Sequence, residues 1–357
     1  MDTKQQLLNF YARYPLMRTQ DYIKLLYQSE FFGGHLISNE EDSFLRLQRE
    51  AETCFTQKKI EEELSDDFLG MSRINLRPFV RQNGDLYLLN QLFVKSFSPN
   101  EGSLQNLDKK LDALLELSKE RKIDLPYFSL KREVNNYKAN GYPVLSHSSA
   151  VKMNYAPSYR VVKKEYWQLC DVICAINKLL NTRLVVTVAI EGNSGAGKSF
   201  FATALKKFYD CNVLSTDDFF LPFEMRTKER LSEIGGNIHY ERLSQALKII
   251  KSSQDLEYYS FDCKTGKQIP KTLTANRLNI VEGCYSLHPA LKKEYDLALV
   301  LTVNKAQQQQ RIFLRDGEKV FQDYLSKWIP MEQEYLKTLS LKDIPVIYLD
   351  TSNDFSL

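Results

Sequence analysis

Apolar residues recur at three- and four-residue spacing from Leu7 to Tyr14, Tyr22 to Phe31 and Phe44 to Cys54, the period of helices with one buried face. The same period returns at Asp85 to Phe97, at Leu104 to Leu117 with Ser103 as a plausible N-cap, and at Leu130 to Tyr137. No strand-like alternation persists before Gly141, so residues 1–141 predict a mainly α-helical N-terminal domain. Tyr142 to Tyr159 loses the helical period and carries Pro143, Pro157 and the pair Ser148-Ser149, so 142–159 predicts a linker or a surface strap. From Val161 to Leu180 a single amphipathic helix is expected, opening a second domain at 160–357.

In that second domain the pattern alternates. Short runs that are apolar on both faces, Leu184 to Ile190, Asn212 to Ser215, Leu278 to Val281, Leu297 to Val303 and Val346 to Leu349, predict strands. Between them lie helical stretches at Lys198 to Phe208, His239 to Lys251, Lys305 to Arg315 and Glu318 to Leu339. The alternation implies an α/β fold with a parallel sheet covered by helices on both faces, and such sheets bind ligands beyond the carboxyl ends of their strands.

Composition changes this picture little. The 357 residues are 43% hydrophobic and 26% charged, with a formal net charge of +3, which fits a globular protein of two ordinary domains. Basic residues come only in short clusters such as Lys109-Lys110, Lys163-Lys164 and Lys206-Lys207, so no nucleic-acid track is expected. No apolar run is long enough for a membrane helix and the first residues lack a signal-peptide core, so a cytoplasmic protein without membrane contacts is expected. The six cysteines are scattered; Cys170 and Cys174 share a helix face with no histidine nearby and read as core residues. Two glycines before His35 place that histidine in a turn, where an exposed or structural role is the simpler reading. Composition is compatible with a homo-oligomer and does not demand one.

The chemistry concentrates in one stretch. Gly192-Asn193-Ser194-Gly195-Ala196-Gly197-Lys198-Ser199 fits G-x-x-x-x-G-K-[ST] at every fixed position, between a predicted strand and a predicted helix that continues into Phe200. Its glycines let the backbone aim several N–H groups at one phosphate, and the helix opening at Lys198 adds the positive end of its dipole. Lys198 is placed to reach the terminal phosphates, and Ser199 to hold magnesium bridging them.

The strand after it ends in Ser215-Thr216-Asp217-Asp218, placing carboxylates on the rim where the loop opens. Asp217 is the candidate to orient an acceptor hydroxyl and take its proton; Asp218 is a candidate for acceptor contact or for capping the turn. The later strand ends in Glu282-Gly283, whose carboxylate near Ser199 would hold magnesium or its water shell. Arg311 and Arg315, one turn apart on a helix, are candidates to clamp charge on the transferring phosphate as part of a lid.

These segments, with Tyr259-Ser260-Phe261-Asp262 and Ile280-Val281-Glu282-Gly283, occur in the order seen in uridine kinases, and the stretch from about Arg183 to Leu349 resembles that family and the related phosphoribulokinases and pantothenate kinases. The resemblance implies a P-loop kinase fold, ATP with Mg2+, a catalytic aspartate at Asp217, an acidic residue at Glu282 and lid arginines at Arg311 and Arg315. It also implies that Arg226 to Arg242 walls the acceptor site, which makes Arg226, Arg230 and Tyr240 candidate acceptor contacts, together with Tyr259 and Lys264. Lys264 stands where uridine kinases carry a pyrimidine-reading histidine, which argues against uridine as the acceptor. The helical N-terminal part has no counterpart in a simple uridine kinase.

The expectation is ATP-dependent phosphoryl transfer to a hydroxyl of a small metabolite, a nucleoside or a related alcohol. The alternative is a regulatory or scaffold protein in which ATP binding controls the helical domain. A guanine-specific switch is disfavoured, because Asn304-Lys305-Ala306-Gln307 lacks the aspartate that would read guanine.

Overall fold

The computed structural model describes residues 2–56, 63–262 and 265–352. The chain forms two compact units, Met1–Cys170 and Asp171–Leu357.

In the first unit the helical periods fold as expected, as Thr3–Arg13, Thr19–Phe31, Glu40–Thr56, Leu86–Ser96, Leu104–Lys119 and Tyr127–Ala139, with a shorter helix at Leu76–Arg81. The Ser103 hydroxyl accepts from the Asn106 N–H at 3.0 Å, the capping role its position predicts. Leu107, Leu111 and Leu114, at helical spacing, are fully buried with Leu7, Leu26 and Leu130 in one core.

The unit also contains a sheet that the periodicity did not reveal. Strands β1 (Ser65–Phe68), β2 (Met71–Asn75) and β3 (Tyr159–Lys163) pair antiparallel in the order β1-β2-β3. Its polar residues hide it. Asp66 and Arg73 face inward and satisfy each other at 2.7 and 2.8 Å, with the Tyr14 hydroxyl donating to the same carboxylate at 2.6 Å. The Arg73 guanidinium lies over the rings of Phe10, Tyr14 and Tyr159, so a buried charge pair takes positions where alternation calls for apolar residues.

Two boundaries are corrected. The segment expected as a linker, 142–159, belongs to the first unit: Lys24 Nζ donates to the Leu145 carbonyl at 3.0 Å, and Ser148 begins a helix, Ser149–Tyr155, that leads into β3. Asp21 ties this segment down, accepting from Ser148 N at 2.9 Å and Ser148 Oγ at 2.6 Å and pairing with His147 Nδ1 at 3.1 Å. The single helix expected from Val161 to Leu180 is interrupted, because Val161 to Lys163 pair with Met71 to Arg73. Helix resumes at Lys164–Gln168 and again at Cys170–Thr182, and the second unit starts at Asp171 and not at residue 160. Cys170 and Cys174 are half-buried, less enclosed than the core role expected of them.

The second unit is built on a five-stranded sheet in the order β10-β9-β4-β8-β5, every pair parallel, flanked by helices. Its strands are β4 (Val186–Gly192), β5 (Asn212–Ser215), β8 (Leu278–Glu282), β9 (Leu297–Thr302) and β10 (Val346–Asp350), within a residue or two of the apolar runs. Every residue of β4 and β8 is buried, as a parallel sheet covered by helices requires. A two-stranded antiparallel hairpin, β6 (Leu256–Asp262) and β7 (Lys267–Leu273), stands beside the sheet. The helix Lys305–Asp323 breaks at Gly317, whose φ of 75° and ψ of 172° are not helical, and continues through a wide turn, Tyr324–Trp328, into Ile329–Thr338. Among the described residues no helix is long and apolar enough to cross a membrane.

Candidate active site

Register sets the site. Ile190 of β4 and Ser215 of β5 both align with Glu282 of β8, so the ends of three adjacent strands bring the phosphate loop, Asp217 and Glu282 to one rim. Strand order changes direction about β4, and the crevice at such a point is where open α/β sheets take ligands.

The loop runs from the end of β4 to the helix Lys198–Phe208. Gly192, Gly195 and Gly197 have φ of 150°, 77° and 94°. A Cβ on Gly192 would approach the Leu301 carbonyl oxygen to 2.6 Å, so glycine there is required by space as well as by conformation. Among the described residues none accepts from the N–H groups of Gly195, Gly197, Lys198 or Ser199, which leaves a cluster of donors at a helix start, the arrangement that holds an anion.

Lys198 is buried, and its Nζ donates to the carbonyls of Gly192 at 2.8 Å and Asn193 at 3.0 Å and to Cys284 Sγ at 3.2 Å. Burial alone lowers the Lys198 pKa; the carboxylates of Glu332 and Glu191, with the hydrogen bond to Cys284 Sγ, outweigh it and keep the amine protonated. Burial pushes the Cys284 thiol up to about 12, so the neighbouring sulfur is neutral. Ser199 Oγ donates to Glu282 Oε2 at 3.1 Å, joining the two residues assigned to magnesium. The glycine after Glu282 is needed for this, since a Cβ on Gly283 would collide with Thr216 Oγ1 at 1.9 Å.

Asp217 opens to solvent on the rim, in a short turn whose N-cap is Ser215. The protein crowding around it and the like charge of Glu282 raise its pKa, while Lys198 and Arg315 pull it back. It therefore shares one electrostatic neighbourhood with Glu282, Lys198 and Arg315.

The other candidates separate. Asp218 turns away to the hairpin, accepting from Tyr258 Oη at 3.0 Å, Ser260 Oγ at 2.8 Å and Lys271 Nζ at 2.7 Å, so it fastens the turn to β6 and β7. Arg230 is spent on its own loop: it bonds to Gly236 O at 3.2 Å, Ile238 O at 3.1 Å, Glu241 at 3.0 Å and the Tyr240 hydroxyl. Tyr240 donates to Glu233 at 2.9 Å and stacks on His288 with centroids 4.2 Å apart. Arg226 Nε donates to Leu221 O at 2.8 Å, and its guanidinium covers the Phe223 ring. The Tyr259 side chain is exposed on β6, and Lys264 lies outside the described residues. Arg230 and Tyr240 thus hold the segment 226–242 in shape, since their polar groups find partners within it.

Arg311 and Arg315 also part company. Arg311 is buried and donates to Gly195 O at 3.1 Å, Thr351 Oγ1 at 3.2 Å and Thr351 O at 2.6 Å, tethering the phosphate loop to the end of β10. Arg315 is exposed, paired with Asp316 at 2.7 Å and bonded to the Tyr324 hydroxyl at 3.0 Å. Of the two expected lid arginines, only Arg315 is exposed to solvent. His35 of the first unit is exposed, and Phe93 and Phe97 pack on the glycines before it.

Three residues at the loop carried no signal in the sequence. Buried Glu191 accepts from Gly192 N at 2.9 Å, Leu287 N at 3.0 Å and Tyr335 Oη at 2.8 Å. Glu332, one turn before Tyr335, accepts from Ser194 N at 2.8 Å and Ser194 Oγ at 2.5 Å. Both contacts to the helix span about two fifths of the chain, a separation at which spacing carries no information.

No family model and no curated protein matches the chain. Among solved structures it is similar to a possible uridine kinase from Bacillus stearothermophilus, at 18% identity and a TM-score of 0.39, over 50% of this chain and 96% of that one. It is similar to a proposed fructose transport system kinase from Silicibacter sp. TM1040, at 18% identity and a TM-score of 0.43, over 50% and 97% of the two chains. A third is YFH7 from Saccharomyces cerevisiae, a proposed P-loop kinase with a circular permutation, at 11% identity and a TM-score of 0.41, over 54% of this chain and 100% of that one.

Proposed function

We propose that the second unit transfers the terminal phosphoryl group of ATP to a hydroxyl of a small molecule. The observation that carries the reading is the convergence of the loop, the Ser199–Glu282 pair at 3.1 Å and Asp217 on one rim, with Asp217 electrostatically coupled to Glu282, Lys198 and Arg315. A bare anion site needs no acidic pair facing it; a transfer site needs a group to direct the acceptor oxygen.

The donor set fits magnesium, which takes hard oxygen ligands and binds chiefly through substrate phosphates and one or two protein groups. Ser199 and Glu282 are the residues to hold it, where the ion would offset phosphate charge. In the proposed mechanism the free loop amides and Lys198 hold the β- and γ-phosphates. Asp217 accepts a hydrogen bond from the acceptor hydroxyl, aims its oxygen at the γ-phosphorus and takes its proton as the oxygen–phosphorus bond forms and the bond from the γ-phosphorus to the bridging oxygen breaks, releasing ADP. Its raised pKa brings the carboxylate closer to that proton's affinity as charge leaves the oxygen. Arg315 swings from Asp316 onto the transferring group, and Arg311 keeps the loop aligned throughout.

The acceptor is a nucleoside-like or other small alcohol, and the cytosol is the expected compartment. A thermal-shift screen of nucleosides and small alcohols, with AMP-PNP and magnesium present, tests the reading, because a true acceptor stabilises the folded form by mass action. The expected result is one chemical series that raises the melting temperature only when nucleotide is present. Equal shifts with and without nucleotide would count against a shared transfer site.

A further inference from the structure

The phosphate loop already holds a carboxylate of its own. Glu332 is only 6% exposed, and it occupies the Ser194 N–H and hydroxyl at 2.8 and 2.5 Å. Its Oε1 also accepts from Cys284 Sγ at 3.3 Å, and that sulfur is 3.2 Å from Lys198 Nζ. The carboxylate thus stands one neutral thiol away from the ammonium that must reach the terminal phosphates.

Its placement is fixed by the helix Ile329–Thr338, whose Tyr335, one turn further on, is bonded to Glu191 beneath the start of the loop. Glu332 is therefore held at the loop from both ends of one helical turn, and it cannot drift off as a surface side chain would.

Accepting the phosphoryl-transfer reading, we propose that Glu332 is a built-in competitor for the γ-phosphate of ATP. Carboxylate and terminal phosphate compete for the Ser194 N–H and for the positive charge of Lys198, which reaches Glu332 through Cys284, and both are anions in a partly buried setting where like charges repel strongly. The loop binds a triphosphate more weakly than its donors alone allow, and a diphosphate, which lacks the γ group, is affected less. The charge sets a preference between nucleotides and restrains ATP hydrolysis when no acceptor is present.

Calorimetric titration of magnesium AMP-PNP and magnesium ADP into the full chain tests this with Glu332→Gln, which keeps side-chain length and an acceptor oxygen for Ser194. The expected result is about tenfold tighter AMP-PNP binding, a change under about threefold for ADP, and faster acceptor-free hydrolysis of ATP. Tyr335→Phe removes the bond that anchors the same helix without changing charge, and should shift the AMP-PNP to ADP ratio in the same direction as Glu332→Gln but by less. The wild type supplies a test that needs no variant: its affinities for the two nucleotides should lie within about tenfold, and a preference of a thousandfold for AMP-PNP overturns the proposal. So does a Glu332→Gln protein that binds AMP-PNP no tighter than wild type, or one that tightens both nucleotides equally. Failure of the wild type to take up either nucleotide sinks the phosphoryl-transfer reading itself, a result distinct from all of these.

Discussion

Arg311 and Arg315 look equivalent along the chain and have opposite surroundings in the fold, so replacing each separates a tether from a clamp. Arg311→Ala removes the donors at 3.1, 3.2 and 2.6 Å from Gly195 O, Thr351 Oγ1 and Thr351 O, in a position only 7% exposed. Hydrogen bonds from a charged group contribute about 1.5–3 kcal/mol each, and carbonyls left unpaired in the interior cost about as much again. Since neighbouring losses are not additive, ~3–5 kcal/mol is expected, which lowers the melting temperature of a domain this size by about 6–20 °C. Arg315→Ala removes solvent-exposed bonds to Asp316 and Tyr324 and should change stability by less than ~0.5 kcal/mol. Under the proposed mechanism it should instead slow transfer by about 100-fold with nucleotide affinity unchanged. Circular dichroism melts and acceptor-dependent turnover on the same preparations read both effects. An Arg311→Ala protein that melts with the wild type, or an Arg315→Ala protein that turns over normally, would refute the division of roles.

Two further predictions concern pH. Burial would raise the Asp21 pKa, yet hydrogen bonds from His147, Ser148 and Arg18 hold it at about 2, below its ordinary 3.8. A depressed carboxylate contributes stability that is present above its unfolded value and lost as pH falls through its folded one; the shift corresponds to ~2 kcal/mol. Asp21→Asn should therefore lower the urea midpoint at pH 7 and reduce the wild type's loss of stability between about pH 4 and pH 2; identical curves for the two proteins would contradict it. Asp217 must be ionised to accept a proton, and its pKa is raised by its surroundings and by Glu282, so the acid limb of kcat/KM should lie above the ordinary aspartate range. A limb at or below that range would remove Asp217 as the titrating group.

The phosphate loop was legible because its signal is local: eight consecutive residues, a strand before and a helix after. Strands β4, β8 and β9 were legible because burial on both faces leaves mostly apolar runs, interrupted only by Thr187 in β4 and Asn279 in β8 before their acidic ends. The β1–β2–β3 sheet was not, since Asp66 and Arg73 neutralise each other where apolar side chains would have shown the alternation. Strand β7 escaped for the opposite reason: six of its seven residues are exposed, so no buried face is imprinted on its composition. Spacing placed Arg311 and Arg315 on one helix face but could not show that the loop and Thr351 cover only the first. Glu332 and Tyr335 depend on contacts more than a hundred residues long, which only the folded chain displays.

The central claim is tested most directly by ADP release from magnesium ATP across a panel of small hydroxyl compounds, with wild type and Asp217→Asn side by side. The account predicts that one acceptor class raises release many-fold in the wild type and leaves Asp217→Asn at background while that variant still binds AMP-PNP. Background release with every acceptor, from a wild-type protein that binds ATP, would contradict it.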